Sequence, residues 1–177
     1  MKLRLLPVAI SVIVSFVILF GGWFAYHSLA MEQPLTGVIN KLPGVEHSSI
    51  AMNSAQVKIE LTLKEDADLR EIVRNINLEG ASIVGKRQLV IKPVGNTSPE
   101  LEAWWSKALF DVAQAMENRQ YSDIPKNLEE LALSDQGMKV DTQMDDSYVY
   151  VRLTDGTNSK FLMLPRISAK IGVWPNE

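Results

Sequence analysis

The stretch Gly80-Ala81-Ser82-Ile83-Val84-Gly85-Lys86-Arg87 comes nearest to a chemical motif in this chain. It follows the phosphate-cradling pattern G-x-x-x-x-G-K up to its last position, where Arg87 replaces the serine or threonine that holds Mg²⁺. A phosphate loop also needs a strand before it and a helix after it, so that the helix N-terminus meets the anion. Here a helical pattern precedes the loop and a strand pattern follows, so nucleotide binding is not expected. His27 and His47 lie in different segments, too far apart to suggest a shared metal. No Gly-x-Ser-x-Gly elbow frames a nucleophilic serine. Glu65, Asp66 and Asp68 crowd a helix entrance, where the helix dipole stabilises carboxylates, and Asp145 and Asp146 fall in a turn. Structural roles explain these acids better than acid–base catalysis. No catalytic, cofactor-binding or metal-ligating residue is therefore expected, and the chain is not expected to be an enzyme.

The aromatic residues suggest contact rather than chemistry. Trp104 and Trp105 are adjacent, so on a helix they stand about 100° apart and cannot both occupy the centre of one buried stripe. Trp105 continues the Leu101/Ala108/Val112 register and is expected in the core, which leaves Trp104 partly exposed. Trp104 and Trp174 are the candidate interaction surface, because exposed tryptophans are enriched at contacts.

Bulk properties narrow the classes further. Eighteen basic and twenty-one acidic residues among 177 leave no net positive field to hold a nucleic acid. The chain contains no cysteine, which excludes disulfides, thiolate nucleophiles and zinc–thiolate sites. Its length suits one ordinary domain plus an anchor or tail.

The stretch from Leu5 to Ala25 carries no charge, and Lys2 and Arg4 precede it. As a helix this run would cover the roughly 30 Å of a bilayer core. The basic residues predict an N-terminus in the cytoplasm, with Trp23 and Tyr26 at the opposite headgroup level. The competing reading is a signal peptide cleaved after Ala30, against which the apolar run is longer than the usual secretory segment. Ser11, Ser15, Ile18, Gly22 and Ala25 share one side of this helix and form a candidate helix–helix contact face.

Beyond a short linker, Leu35, Val38, Ile39 and Leu42 recur at helical spacing until Pro43-Gly44. Ile50 and Met52, the Asn53-Ser54 turn, and Val57, Ile59, Leu61 and Leu63 in alternation predict a hairpin with one buried face. Asp68 and Glu71 fit a capping box ahead of the stripe Leu69, Ile72, Val73 and Ile76, which Gly80 ends. Leu89 to Ile91 supply a third strand. Ser98-Pro99-Glu100 opens a longer helix whose apolar face is Leu101, Trp105, Ala108, Leu109, Val112 and Met116. A second helix carries Leu128, Leu131 and Leu133 and is expected to stop at Gly137. Strands around Val140, Val151 and Leu162 then predict a three-stranded meander. A helix leading into a hairpin occurs in both halves, a pattern that fits either a duplication or ordinary α+β regularity.

Residues 35–93, with the order helix–strand–strand–helix–strand and Leu42-Pro43-Gly44-Val45 before the hairpin, resemble the ring-building motifs of bacterial secretion and sporulation membrane proteins. They equally resemble heavy-metal-associated domains of ferredoxin-like topology. The resemblance implies assembly rather than catalysis, and the Cys-x-x-Cys with which the latter family holds metal is missing here.

The expected fold is α+β: a single N-terminal transmembrane helix followed by a compact domain whose two hairpin-containing halves share a mixed or antiparallel sheet covered by helices. Residues 1–30 would form a cytoplasmic stub and transmembrane helix (about 5–26), 31–34 a linker, 35–164 an extracytoplasmic domain and 165–177 a tail. The expected function is a noncatalytic, membrane-anchored interaction or assembly module of the bacterial cell envelope, single-pass in the cytoplasmic membrane. It would bind a protein partner or itself, without cofactor, nucleotide or nucleic acid. The alternative is an extracytoplasmic sensor or small-ligand binder, which would need a pocket lined by aromatic and methionine side chains.

Overall fold

The structure is a computed structural model that describes residues 5–27, 33–135 and 137–166. Helix α1 spans Leu5–His27 and α2 spans Gln33–Ile39. Strands β1 (Val45–Met52) and β2 (Gln56–Leu63) form the first hairpin. Its turn is built by Asn53, whose side-chain oxygen accepts the Ala55 and Gln56 N–H groups at 2.9 and 2.8 Å. The alternation in β2 puts Val57, Ile59, Leu61 and Leu63 in the core, as a period of two requires.

Asp68 starts α3 (Leu69–Glu79) by accepting the Glu71 N–H at 3.0 Å, and Leu69, Ile72, Val73 and Ile76 form its buried stripe. After the short α4 (Ala81–Val84), strand β3 (Gln88–Val94) pairs parallel to β2, closing a sheet of order β1-β2-β3. Ser98 opens α5 (Pro99–Glu117) by accepting the Leu101 N–H at 3.2 Å. Helix α6 (Asp123–Leu133) follows and ends at Ser134, before Gly137. Gly137, at φ 122°, turns the chain into β4. Strands β4 (Met138–Met144), β5 (Tyr148–Asp155) and β6 (Asn158–Pro165) form the antiparallel meander β4-β5-β6.

Two expectations are corrected here. The halves do not share one sheet: there are two three-stranded sheets, and β3 lies beside β6 without joining it in a hydrogen-bonded ladder. The sheets meet instead through the loop after β3, where the Ser159 N–H donates to the Asn96 carbonyl at 2.9 Å. A Cβ on Gly95 would stand 2.3 Å from the Ser159 carbonyl oxygen, so only glycine permits that approach. The halves share a sequential strand order but differ in strand direction, one being a hairpin plus a parallel crossover and the other an antiparallel meander.

The second correction concerns the membrane. Among the described residues, no helix is long and apolar enough to cross a membrane. This overturns the transmembrane span expected at 5–26, and with it the single-pass placement in the cytoplasmic membrane. A crossing needs about 20 consecutive, predominantly apolar residues in one helix, and no helix among the described residues supplies such a run.

The meander sheet has both faces covered, which explains the unbroken burial of Val149, Tyr150 and Val151. Val149, Val151 and Leu153 pack with Leu101, Trp105, Val112 and Leu128 of the helices. Tyr150 and Phe161 join the core of the first half, with Leu61, Leu69 and Ile72.

Candidate interaction surface

Helix α5 has two covered flanks, one facing α6 and one facing the meander sheet. Its buried arc is accordingly wide, taking in Leu101, Trp104, Trp105, Ala108, Val112 and Ala115. Trp104 is 5 % exposed and Trp105 8 %. The expectation that Trp104 offers an exposed ring is thus corrected: two tryptophans 100° apart are both buried because two neighbours cover the helix. Leu109, expected in the core, is 44 % exposed.

The opposite side of α5 carries Ala103, Ser106, Lys107, Phe110, Ala113 and Gln114, all exposed. Phe110 is 80 % exposed, and Leu133 at the end of α6 is 86 % exposed. Between the two helices runs an open groove of about 380 Å³ lined by Asp111, Asn127, Glu130, Leu131 and Ser134. The arrangement is a helical layer with a polar groove and large apolar side chains directed outward. The sequence reading did not single out Phe110, which lies opposite the Leu101/Trp105/Val112 stripe.

A second feature is a cleft of about 670 Å³ at the seam of the two sheets. It is lined by the ends of β2 and β3 and by the β5–β6 turn, including Glu46, Lys64, Glu65, Asp66, Asn96 and Ser159. Its walls are polar and charged, with no aromatic or methionine side chain among the lining residues. Among the described residues, no group of three or more histidine, aspartate or glutamate side chains could hold a metal ion.

The third feature is a hydrogen-bonded cluster around Asp145. Its carboxylate accepts the Tyr150 hydroxyl at 2.6 Å and the Ser147 and Tyr148 N–H groups at 2.7 and 2.8 Å. Partial burial opposes the charge, but these hydrogen bonds and the nearby Arg70 outweigh it, and the carboxyl is held below its ordinary value. Burial, and then the bond to Asp145, push the Tyr150 hydroxyl well above the usual phenol range. Arg166 donates to the Asp145 carbonyl at 2.6 Å and lies over the Tyr121 ring, 4.8 Å from its centre. This cluster ties the β4–β5 turn to the end of β6, a structural task that no sequence pattern announced.

The remaining sequence candidates are dispersed. Ser11, Ser15, Ile18 and Gly22 lie on α1, where their exposed positions are remote in sequence from every other feature described. The side chain of Ala25 and the whole of Trp174 lie outside the described residues, as does the side chain of His27. His47 is exposed on β1. In the Gly80–Arg87 segment the helix precedes the strand. Arg87 there donates to the carbonyls of Val84, at 3.1 Å, and of Ile83, so it closes α4. Asp68 caps α3, and Glu65 and Asp66 line the seam cleft. In the first half the elements run α2-β1-β2-α3-α4-β3. No family model matches the chain, and neither characterised proteins nor solved structures yield a match to it.

Proposed function

We propose that this chain is a noncatalytic protein-interaction or assembly module that docks its partner through the outer face of the α5–α6 layer. The observation that carries this reading is the exposure of Phe110 and Leu133 on faces that point away from the core. Burying such side chains on association removes apolar area from water at about 25 cal/mol per Å², and aromatic anchors of this kind dominate contact energies. The groove beside them, lined by Asp111, Asn127, Glu130 and Ser134, supplies polar groups for orientation.

The test is chemical crosslinking of the full chain in cells, with wild type and Phe110→Asp in parallel. Discrete crosslinked products in wild type that fall at least about tenfold in the variant, with an unchanged melting temperature, are the expected result. Products indifferent to the substitution would overturn the reading and direct attention to the seam cleft as a site for a small polar ligand.

A further inference from the structure

We infer that the cleft at the seam of the two sheets is a binding site for a free basic amino acid. A buried hydroxyl without a partner and a set of unpaired charges meet there. The cleft shares no lining residue with the α5–α6 groove, so the site does not depend on the docking face proposed above.

The hydroxyl belongs to Ser159. This residue is 1 % exposed, and among the described residues its Oγ has no hydrogen-bond partner. Buried polar groups are nearly always paired, so an unpaired one calls for a partner from outside the chain. The Ser159 backbone is already committed, its N–H donating to the Asn96 carbonyl at 2.9 Å. Side chains alternate along β6, which puts Ser159 on the face of Phe161 and Met163, and these pack against the core of the first half. The hydroxyl is therefore turned to the seam, at the cleft that Ser159 and Gly95 line together. A Cβ on Gly95 would stand 2.9 Å from the Ser159 Oγ, so glycine there leaves the hydroxyl uncrowded.

The charges are Glu46, Lys64, Glu65 and Asp66, which line the same cleft. Lys92 and Lys160, on the strands that flank the seam, are each paired, with Glu60 at 3.1 Å and Glu102 at 2.7 Å. Among the described residues the side chains of the four cleft charges make no ion pair and no hydrogen bond. Carboxylates outnumber the single ammonium in this lining, and a basic amino acid, with one carboxylate and two cationic groups, is its charge complement. Lys64 meets the α-carboxylate, while Glu46, Glu65 and Asp66 receive the α-ammonium and the side-chain cation. Thr62, Asn96 and Thr157 add neutral hydrogen-bonding groups. Among the described lining residues Leu63 alone is large and apolar, so an aromatic or lipid-like guest finds no cover. The volume of about 670 Å³ lies within the range of small-molecule sites and leaves room for bridging water.

The experiment is titration calorimetry on the full chain in non-ionic detergent, which covers the exposed apolar side chains of α1. The probes are L-lysine, cadaverine, which lacks the carboxylate, and L-norleucine, which lacks the side-chain cation. Nα-acetyl-L-lysine amide stands for a lysine within a peptide. L-lysine is expected to bind at least about tenfold more tightly than each of the others. Lys64→Ala is expected to abolish the preference over cadaverine, and the Glu65→Gln, Asp66→Asn double variant the preference over norleucine. Ser159→Ala is expected to weaken L-lysine binding at least about fivefold without lowering the melting temperature, because the hydroxyl has no protein partner to lose. Absence of saturable binding at millimolar L-lysine overturns the inference, as does binding indifferent to the Lys64 and Glu65/Asp66 changes. Equal affinity for the blocked amide assigns the cleft to a peptide side chain and overturns the free amino acid. A Ser159→Ala chain that melts lower yet binds L-lysine as wild type does gives the hydroxyl a purely structural role and overturns the site.

Discussion

Asp145 takes most of its meaning from residues that are adjacent only in the fold or along the strand. Its place in a polar turn is readable from sequence, and its bonds to the Ser147 and Tyr148 N–H groups are the ordinary local pattern of such a turn. Tyr150 and Arg166 add the non-local part by tying the same turn to β5 and to the end of β6. Replacing Tyr150 with Phe is expected to cost about 1 kcal/mol near neutral pH, below the usual range for a bond to a charged group because Asp145 is partly solvated. The pH dependence follows from the lowered Asp145 value. A carboxyl more acidic in the folded than in the unfolded chain contributes stability that is complete above its ordinary value of 3.8 and is lost as pH falls through the folded value. The difference between wild type and Tyr150→Phe should therefore shrink below pH 3.8, as read by urea unfolding across that range. A difference that stays constant into acid would show that the Asp145 charge plays no part.

The elements of this protein are mostly set by local signals. Asp68 and Ser98 each accept a backbone N–H three residues on, and each is followed by an acid in the first turn, so two helix starts were legible before any tertiary contact. Ser98→Ala is expected to lower stability by about 1 kcal/mol, and Asp68→Ala by a similar amount. The two effects should add, since the caps lie on separate helices. Thermal melts of the single and double variants check both statements. Locality fails where an element has more than one neighbour. Periodicity assigns α5 a single stripe, which leaves Trp104 at its edge and Leu109 inside. Contact with both α6 and the meander sheet rotates and widens the buried arc, taking in Trp104 and leaving Leu109 and Phe110 outside. The candidate interaction face was therefore displaced from a tryptophan to a phenylalanine six residues along the same helix.

At the scale of the molecule, the meander sheet is the layer that unites the two halves. Tyr150 and Phe161 sit in the second half of the sequence but pack in the core of the first. Phe161→Ala is expected to cost about 3–5 kcal/mol. Fluorescence and circular dichroism should nonetheless report one coincident unfolding transition, because the change weakens the contact between halves and the meander together. Two separated transitions in wild type would mean that the halves fold independently. The α+β class, the two hairpins, the helix caps and the lack of cysteine chemistry were all determined by the sequence, since propensity, period and residue identity act within a few residues. Only the tertiary structure decided that there are two sheets rather than one, that both tryptophans of α5 are buried, and that Phe110 faces outward. The same holds for the Asp145 network, which joins the start of β5 to the end of β6. Each of these depends on which surfaces meet across the chain, and that follows from packing between distant segments, which local pattern does not encode.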